Sequence, residues 1–179
     1  MGAEGFAATI ATRQGPFTVV VDDEAVLASG WTDDLARLIG LIHPSLRPDV
    51  VSLADPDVWG LAEAGNEVLM RAIVAVRAYD DGNTRLVAQM PVKAKGGPFR
   101  QAVWRTLRDI SPGQHLSYAE LAARSGRPSA VRAAGGACGA NPAALFVPCH
   151  RVVRSDGSLG GFAYGLACKQ ALLDAEATS

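Results

Sequence analysis

A short apolar run between two prolines constrains this chain more than any other stretch. Residues 141 to 153 read Asn-Pro-Ala-Ala-Leu-Phe-Val-Pro-Cys-His-Arg-Val-Val. Ala143 to Val147 has the length of a buried strand, and Asn141-Pro142 before it favours a turn. Because proline cannot donate a hydrogen bond to a sheet, Pro148 ends the pairing. The sequence therefore predicts a buried strand that carries a cysteine and a histidine at its end.

The placement of Cys149 decides its chemistry. A thiol in an apolar pocket has its pKa raised unless a base or a positive charge offsets the burial, and His150 and Arg151 are the nearest candidates. Neighbouring residues of an extended chain point to opposite faces, so a bridging water is the predicted link between imidazole and sulfur. On these residues alone, a cysteine that only packs as a small apolar residue stays an open alternative.

The composition describes a globular protein. The 179 residues are 49% hydrophobic and 20% charged, enough for one ordinary domain or two small ones that share a core. No apolar run approaches the length of about 20 residues that a transmembrane helix needs. Met1 to Phe6 lacks the basic and apolar segments of a signal peptide. We therefore expect a cytoplasmic protein without a membrane partner.

The three cysteines, Cys138, Cys149 and Cys168, show no CxxC spacing. Such a spacing would favour a zinc site or a disulfide framework. We therefore expect no metal and no cofactor, and we assign Cys138 and Cys168 to packing.

The charge is divided unevenly along the chain. Residues 1–92 contain six Lys and Arg and 13 Asp and Glu, a net charge of −7, whereas residues 93–179 contain 11 and five, a net charge of +6. This division predicts an N-terminal domain over residues 1–92 and a C-terminal domain over residues 93–179 that meets a polyanion, with Lys93 to Pro98 as linker. Attraction between the two halves is the alternative interpretation.

The N-terminal half has the pattern of an α/β domain. Three β-rich runs predict a meander of strands: Phe6 to Ala11, Phe17 to Val21, and Ala25 to Trp31. A helix capped by Thr32 follows, in which Leu35, Leu38, Ile39 and Ile42 recur at helical spacing.

The remainder of this half is predicted as a loop from His43 to Pro56, a second helix and a final strand from Thr84 to Val92. The helix ends near Asp80, and its apolar face consists of Val58, Leu61, Val68, Leu69, Ile73 and Val76. No residue of this half is assigned a chemical role.

The C-terminal half predicts a helix-turn-helix. A helix from Phe99 to Ile110 comes first; Ser117 and Glu120 then form a capping box that begins a helix at Tyr118. After a turn of three or four residues, Ser129 caps a helix to about Gly139, built mostly of alanine and glycine. A helix with so few polar side chains favours sequence-independent contact with a shallow groove, and tight packing inside the protein is compatible with it.

Several ordered motifs resemble one family. They are Phe99-Arg100-Gln101-Ala102-Val103-Trp104, Ser117-Tyr118, Arg132-Ala133-Ala134-Gly135-Gly136, Asn141-Pro142, Pro148-Cys149-His150-Arg151-Val152 and Leu159-Gly160-Gly161-Phe162. In order and spacing they resemble the O6-alkylguanine-DNA alkyltransferases, over about residues 97–177.

The resemblance implies a fold and an activity. The fold is α+β, with a ribonuclease-H-like N-terminal α/β domain and a C-terminal helical, winged-helix-like DNA-binding domain. The activity is irreversible, single-turnover transfer of the alkyl group of O6-alkylguanine, and less well of O4-alkylthymine, from double-stranded DNA to Cys149. The protein is expected to act as a monomer.

The resemblance also implies roles for individual residues. Glu176 orients His150, which takes the Cys149 proton through a water, while Asn141 holds the turn and Tyr118 serves base flipping and the leaving guanine. Arg132 enters the gap that the flipped base leaves. The remaining implied DNA contacts are Ala133, Ala134, Gly135 and Arg151, and the implied pocket residues are Val152, Gly160, Gly161, Phe162, Ala163 and Tyr164.

The chain departs from the family pattern at the pocket loop, where Tyr164 stands at a position at which small residues are common. We expect this ring to narrow the pocket, so that methyl adducts react faster than benzyl adducts. Two other functions stay open: a cysteine hydrolase that uses Cys149, His150 and Glu176, and a non-catalytic lesion-binding helix-turn-helix protein. Relatives of the second kind replace the cysteine, which is present here.

Overall fold

The computed structural model describes residues 2–58 and 66–178. In chain order the strands are β1 (Glu4–Thr12), β2 (Gly15–Val21), β3 (Val26–Gly30), β4 (Val50–Leu53), β5 (Leu116–Ser117) and β6 (Val152–Val153). The α-helices are α1 (Leu35–Leu41), α2 (Glu67–Asp80), α3 (Arg85–Gln89), α4 (Pro98–Arg108), α5 (Tyr118–Arg124), α6 (Val131–Gly139) and α7 (Leu166–Ala177). None of these helices combines the length and the apolar character needed to cross a membrane.

The N-terminal sheet has the strand order β3-β2-β1-β4. The predicted meander is confirmed, since β1 pairs antiparallel with β2, and β2 with β3. The loop predicted from His43 to Pro56 is wrong in part, because β4 lies within it and pairs parallel with the start of β1. This strand has only four residues and forms through a partner some 46 positions away, for example Glu4 with Val50, so the local pattern gives no sign of it.

The two faces of this sheet bury different helices. Alternate residues of a strand point to opposite faces, so Val20 packs with Leu38 of α1 while Val19 and Val21 pack with α2. Helix α1 is capped by Asp34, whose carboxylate accepts from the Arg37 amide, and not by Thr32 as predicted. Both acceptors suit a helix N-terminus, and the chain uses the later one.

Helix α2 starts later than predicted. Asn66 caps it by accepting from the Leu69 amide, and Val58 lies before it with an exposed side chain. Leu61, predicted on its apolar face, lies outside the described residues. The predicted face from Val68 to Val76 is buried as expected.

The strand predicted from Thr84 to Val92 is wrong. Its central part forms α3, which packs against α2 and begins where the Asn83 side chain accepts from the Arg85 amide. Only Val92 forms a bridge, to Val26 of β3. Packing on a neighbouring helix therefore overrides the β preference of a short run.

The helix-turn-helix is present in the C-terminal half. Helix α5 carries the predicted capping box, because Ser117 accepts from the Glu120 amide and the Glu120 carboxylate accepts from the Ser117 amide. Residues 125–130 connect it to α6, a longer connection than predicted, and Ala130 rather than Ser129 occupies the N-cap. Helix α4 packs beneath, with the Trp104 indole donating to the Ala137 carbonyl at 2.9 Å.

The strand predicted from Ala143 to Val147 is also wrong, although every residue in it is buried. The backbone turns sharply at Leu145, which has a φ of 77°, and forms only isolated bridges. The Asn141 side chain makes the turn possible: its oxygen accepts from the Ala143 amide, closing an Asx-turn, and its nitrogen donates to the Val147 carbonyl at 2.8 Å. A buried irregular backbone needs such internal partners.

One hydrophobic core crosses the predicted boundary between residues 92 and 93, since Phe17 of β2, Val76 of α2 and Phe146 belong to the same cluster. Ser29 of β3 reinforces this contact. Its amide donates to the Pro142 carbonyl, its carbonyl accepts from the Ala144 amide, and its hydroxyl donates to the Ala144 carbonyl at 2.7 Å. The division into two domains stays a prediction, while the turn before Cys149 rests directly on the N-terminal sheet.

We predict that Ser29→Ala lowers the free energy of unfolding by about 1–2 kcal/mol, because it removes a hydrogen bond from a buried carbonyl. Urea denaturation measures the change. Ser52→Ala is the matched control, since the Ser52 hydroxyl donates to an exposed Glu4 carboxylate at 3.4 Å. It should change the free energy of unfolding by less than about 0.5 kcal/mol. Equal losses for the two variants would contradict the role assigned to Ser29.

Candidate active site

A cavity of about 590 Å³ opens beside Cys149. Helix α6, the loop from Gly160 to Tyr164, Tyr118 and helix α1 form its walls. The lining residues are Arg37, Leu41, Tyr118, Val131, Arg132, Gly135, Cys138, Gly139, Asn141, Ala144, Cys149, Arg154, Gly160, Gly161, Phe162, Ala163 and Tyr164. Most of the predicted site residues therefore meet at one place, and residues of the N-terminal half join them.

Cys149 begins a 3₁₀ turn, Cys149–Arg151, directly after Pro148. Its side chain is half-buried. Burial raises the pKa of the thiol, while hydrogen bonding by Asn141 and the positive charge of Lys169 act in the opposite direction. Because the burial effect is the larger, the thiol is protonated at neutral pH and needs a base before it can attack.

His150 is fully buried and has the properties of such a base. Its Nε2 lies 2.8 Å from Oε1 of Glu176, and burial lowers the pKa of the imidazole. An ionised carboxylate can only accept a hydrogen bond, so Nε2 carries the proton and donates it. Nδ1 is then an acceptor, and within the described residues it has no hydrogen-bond partner. The ring is therefore neutral and has one nitrogen able to take a proton.

Glu176 lies on α7 and is almost completely buried. Its carboxylate accepts from the Tyr79 hydroxyl at 2.7 Å and from the Arg151 guanidinium at 2.8 and 2.9 Å, in addition to His150. Burial opposes ionisation, but the hydrogen bonds and charges of His150 and Arg151 hold the pKa of this carboxyl well below its usual range. Glu176 is therefore a buried anion with several donors.

The DNA contact predicted for Arg151 is wrong. Its side chain is 7% exposed, and its guanidinium donates to Glu176 and to the Ile110 carbonyl at 2.6 Å. An arginine that neutralises a buried carboxylate cannot at the same time reach a phosphate. A sequence position next to a reactive cysteine does not distinguish these two uses.

Tyr79 was missed by the sequence analysis. It comes from α2, in the half to which no chemical role was assigned, and burial together with the Glu176 charge raises the pKa of its hydroxyl. The phenol therefore stays protonated and donates to the carboxylate. In the sequence it is one more residue on the buried face of a helix, and nothing distinguishes it from a packing residue.

Lys169 was missed as well. It is fully buried on α7, and its ammonium donates to the carbonyls of Val152, Leu159 and Gly161. Burial lowers its pKa. The side chain thus fixes the start of the pocket loop and places a positive charge near the Cys149 sulfur.

Tyr118 projects from the first turn of α5 into the cavity. Its ring is half-buried, and burial raises the pKa of the hydroxyl, which therefore stays a hydrogen-bond donor. Gly160 approaches the ring closely: its φ is 71°, and a Cβ there would lie 2.9 Å from the Tyr118 oxygen. A glycine is required at this position for both reasons.

Helix α6 presents a thin outer face. Arg132 and Ala133 are exposed and Gly135 is half-buried, whereas Ala134 is fully buried, so its predicted DNA contact is wrong. The Arg132 side chain makes no ion pair or hydrogen bond with any residue that the structure describes. Arg154, which the sequence analysis did not select, is also exposed and lines the same cavity.

The loop residues Gly160 to Tyr164 line the cavity, whereas Val152, which was predicted to share the pocket with them, does not. Val152 is fully buried in β6, where it pairs with Leu116, and it does not line the cavity. Arg37 and Leu41 of α1 do line it, although neither was predicted. Cys138, assigned to packing, also faces the cavity, and burial raises the pKa of its thiol to about 12.

Cys168 is half-buried and packs against the main core, and burial raises its pKa to about 11. Within residues 2–58 and 66–178, no group of three or more His, Cys, Asp or Glu side chains is arranged to hold a metal ion. That no metal or cofactor takes part stays a prediction.

Comparison with known proteins gives a consistent result. The family profile described as 6-O-methylguanine DNA methyltransferase, DNA binding domain, matches residues 98–178. A methylated-DNA–protein-cysteine methyltransferase of Shigella flexneri is 36% identical over 168 residues, which cover 92% of this chain and 91% of the relative.

Solved structures agree with the sequence comparison. Mycobacterium tuberculosis OGT in complex with DNA superposes with a TM-score of 0.76 at 28% identity, covering 97% of this chain and 93% of the other. The crystal structure of Mycobacterium tuberculosis O6-methylguanine methyltransferase has a TM-score of 0.73 over the same shares of the two chains.

We predict that Glu176→Gln lowers the free energy of unfolding at pH 7 by about 3 kcal/mol or more, because it leaves Arg151 buried without its counter-charge. The folded-state pKa of Glu176 lies below the unfolded value of about 4.3, so its stabilisation is complete above that pH and is lost as the pH falls below it. Chemical denaturation at several pH values measures the difference in the free energy of unfolding between Glu176→Gln and the unsubstituted protein. This difference should be constant down to about pH 5 and should shrink towards pH 3.

Asp174→Asn is the control on the same helix, since Asp174 is exposed and, among the described residues, its side chain accepts only from Gln170. It should change the stability by less than about 0.5 kcal/mol. A Glu176→Gln difference that stayed constant down to pH 3 would show that the buried carboxylate is not the source of the effect.

Proposed function

Because this chain belongs to the methylated-DNA–protein-cysteine methyltransferases, the O6-alkylguanine-DNA alkyltransferase family, we propose that Cys149 is the alkyl-accepting residue of its reaction. The protein is a DNA-repair enzyme that transfers alkyl groups from DNA to one of its own cysteines. The observation that carries the assignment is the position of Cys149, a half-buried thiol that lines the cavity and adjoins the buried His150–Glu176 pair.

The proton of the thiol moves to His150. The imidazole is neutral, its Nε2 proton is held by Glu176, and its Nδ1 has a free lone pair, so a water between Nδ1 and the sulfur relays the proton. Glu176 stabilises the imidazolium that forms. Tyr79 and Arg151 hold the carboxylate in place and in its charged form, which makes them positioning residues for the base.

The thiolate then attacks the alkyl carbon on O6 of guanine in line with the C–O bond. The S–C bond forms as the C–O6 bond breaks, and the electron pair of the broken bond passes to guanine. Guanine takes up one proton overall, equal to the one that the thiol gave up, and the protonated Tyr118 hydroxyl donates a hydrogen bond as the charge develops. The thioether product does not hydrolyse, so each molecule acts once.

The alkylated base must leave the helix stack to reach Cys149, at a cost of a few kcal/mol that is smaller for a badly pairing lesion. Helix α6 is thin enough to lie close to a groove, and Arg132 at its start is exposed and makes no ion pair with the described residues. We assign Arg132 to the gap that the flipped base leaves. Arg154, which also lines the cavity, adds a second positive charge for the phosphates.

The substrate is double-stranded DNA with O6-alkylguanine, and O4-alkylthymine is repaired less well. The protein acts as a cytoplasmic monomer without metal or cofactor. Residues 93–179 carry the DNA-binding surface and the acceptor, while residues 1–92 support them through Ser29 and Tyr79.

We predict that mixing the protein with a duplex containing O6-methylguanine adds one methyl group, about 14 Da by the mass of CH₂, to the Cys149 peptide, in a 1:1 ratio to the guanine restored. Mass spectrometry of the digested protein measures it. Cys149→Ala should accept nothing, and Cys138→Ala, which removes the other thiol of the cavity, should still be methylated. Repeated turnover would indicate a hydrolase, and an unmodified protein would indicate a lesion-binding module.

We also predict that His150→Ala and Arg132→Ala separate chemistry from binding. His150→Ala should slow single-turnover methyl transfer by about 100-fold, as expected for loss of a general base, and leave the Kd for the duplex almost unchanged. Arg132→Ala should weaken binding, and binding should weaken further as salt rises. An Arg132→Ala protein with normal binding and repair would contradict its assignment.

A further inference from the structure

The N-terminal half holds one wall of the cavity through Arg37. This residue is on α1, and its Nη2 donates to the Ala163 carbonyl at 2.9 Å. The same guanidinium lies over the Tyr164 ring, with its central carbon 4.9 Å from the ring centroid. One side chain therefore contacts two consecutive residues of the pocket loop.

The Tyr164 ring also packs against the end of β3. A Cβ on Gly30 would overlap the Tyr164 hydroxyl, so the absence of a side chain there makes room for the ring. The hydroxyl donates to the Ser29 carbonyl at 3.4 Å. The Trp31 and Phe162 rings pack around it with centroids 6.0 and 5.6 Å from that of Tyr164. Most of the residues that contact the Tyr164 ring therefore belong to the N-terminal half.

We propose that Arg37 is a specificity-determining residue: it keeps the Ala163–Tyr164 wall against β3 and so restricts the alkyl groups that reach Cys149 to small ones. The inference rests on the proposed function and deepens it, since it assigns the substrate range of that same cavity to a residue of the supporting half. The wall and Cys149 line one cavity, so the position of the wall limits the space beside the sulfur that an alkyl group can occupy.

The energetic basis is the pair of contacts that Arg37 makes. A benzyl group exceeds a methyl group by a phenyl ring, and displacing Tyr164 to admit that ring breaks the contact between the guanidinium and the aromatic face and the hydrogen bond to Ala163. With methyl, the wall stays in place and both contacts survive. Arg37 therefore penalises the larger adduct more than the methyl adduct, and its removal should raise the ratio of the benzyl rate to the methyl rate.

A phosphate contact is the competing role for an arginine at a cavity mouth. Lysine separates the two, because it keeps the positive charge but lacks the planar guanidinium that stacks on a ring. A phosphate role predicts that Arg37→Lys behaves like the unsubstituted protein. A wall-holding role predicts that Arg37→Lys resembles Arg37→Ala in its preference between adducts.

The test measures single-turnover rate constants for duplexes with O6-methylguanine or O6-benzylguanine, and for the free base O6-benzylguanine. The unsubstituted protein should react faster with the methyl duplex. Arg37→Ala should raise the benzyl-to-methyl ratio by about fivefold and accelerate the reaction with the free base, where no phosphate takes part. Arg71→Ala is the matched control: it removes one exposed positive charge from α2, away from the cavity lining, and should leave the ratio unchanged.

A double-substitution cycle adds a second readout. In a Tyr164→Ala protein the ring that Arg37 covers is absent, so Arg37→Ala should change the ratio by less than about twofold there. Additive effects of the two substitutions would overturn the proposal, because they would show that Arg37 does not act through Tyr164.

The remaining outcomes are distinct. An unchanged ratio in Arg37→Ala, or equal rates of the unsubstituted protein on the two duplexes, overturns the specificity role alone. If Arg37→Ala reacts more slowly with both duplexes but at an unchanged rate with the free base, Arg37 contacts a phosphate. If it reacts more slowly with all three substrates, Arg37 supports the site in general. Either result overturns the specificity role. Absence of methyl transfer to Cys149 in the unsubstituted protein overturns the proposed function itself.

Discussion

A single buried carboxylate organises this molecule. Glu176 accepts from Tyr79, from His150 beside the reactive thiol and from Arg151. Helix α2, the turn Cys149–Arg151 and helix α7 therefore meet at the two oxygen atoms of this carboxylate. A charge in the interior is tolerable only when donors and an opposite charge surround it. The same requirement that makes the arrangement stable fixes the ring of His150 in one orientation and one tautomer. Stability and chemistry therefore have a common origin here.

The chain from Asn141 to Cys149 follows an irregular path, and this path determines where the sulfur and the imidazole lie. A regular strand would continue past Cys149 and place the sulfur and the imidazole on opposite faces. Instead the chain reverses at Leu145, and Asn141 and Ser29 satisfy the backbone groups that a ladder would otherwise pair. The N-terminal half is thus more than a passive support: it supplies hydrogen bonds beneath the turn, a donor to Glu176 and one wall of the cavity.

What the sequence predicts correctly is set by neighbours a few positions away. β-Rich runs identify β1 to β3, and the capping box identifies the start of α5. The family resemblance pairs His150 with Glu176, and the structure places their side chains 2.8 Å apart. The failures have a different cause. Strand β4 depends on a partner far away in the sequence, and helix α3 depends on its packing against α2. No local pattern distinguishes an arginine that binds DNA from Arg151, which pairs with a buried carboxylate. Tyr79 and Arg37 were missed for the same reason, since their importance lies in which residue the fold places opposite them.

Burial raises the pKa of Cys149, although the thiolate is the reactive form of this residue. The raised pKa is an advantage for a protein that can react only once. A permanently ionised thiol would react with any small electrophile that entered the cavity, and each such reaction would remove one molecule irreversibly. A thiol that stays protonated until a neutral imidazole accepts its proton reacts only when an electrophilic carbon is held in line with it. Low intrinsic reactivity combined with a positioned base therefore lets geometry, rather than thiol acidity, select the substrate. The wall held by Arg37 is a further geometric condition of this kind, since it acts on the size of the group that can be aligned with the sulfur.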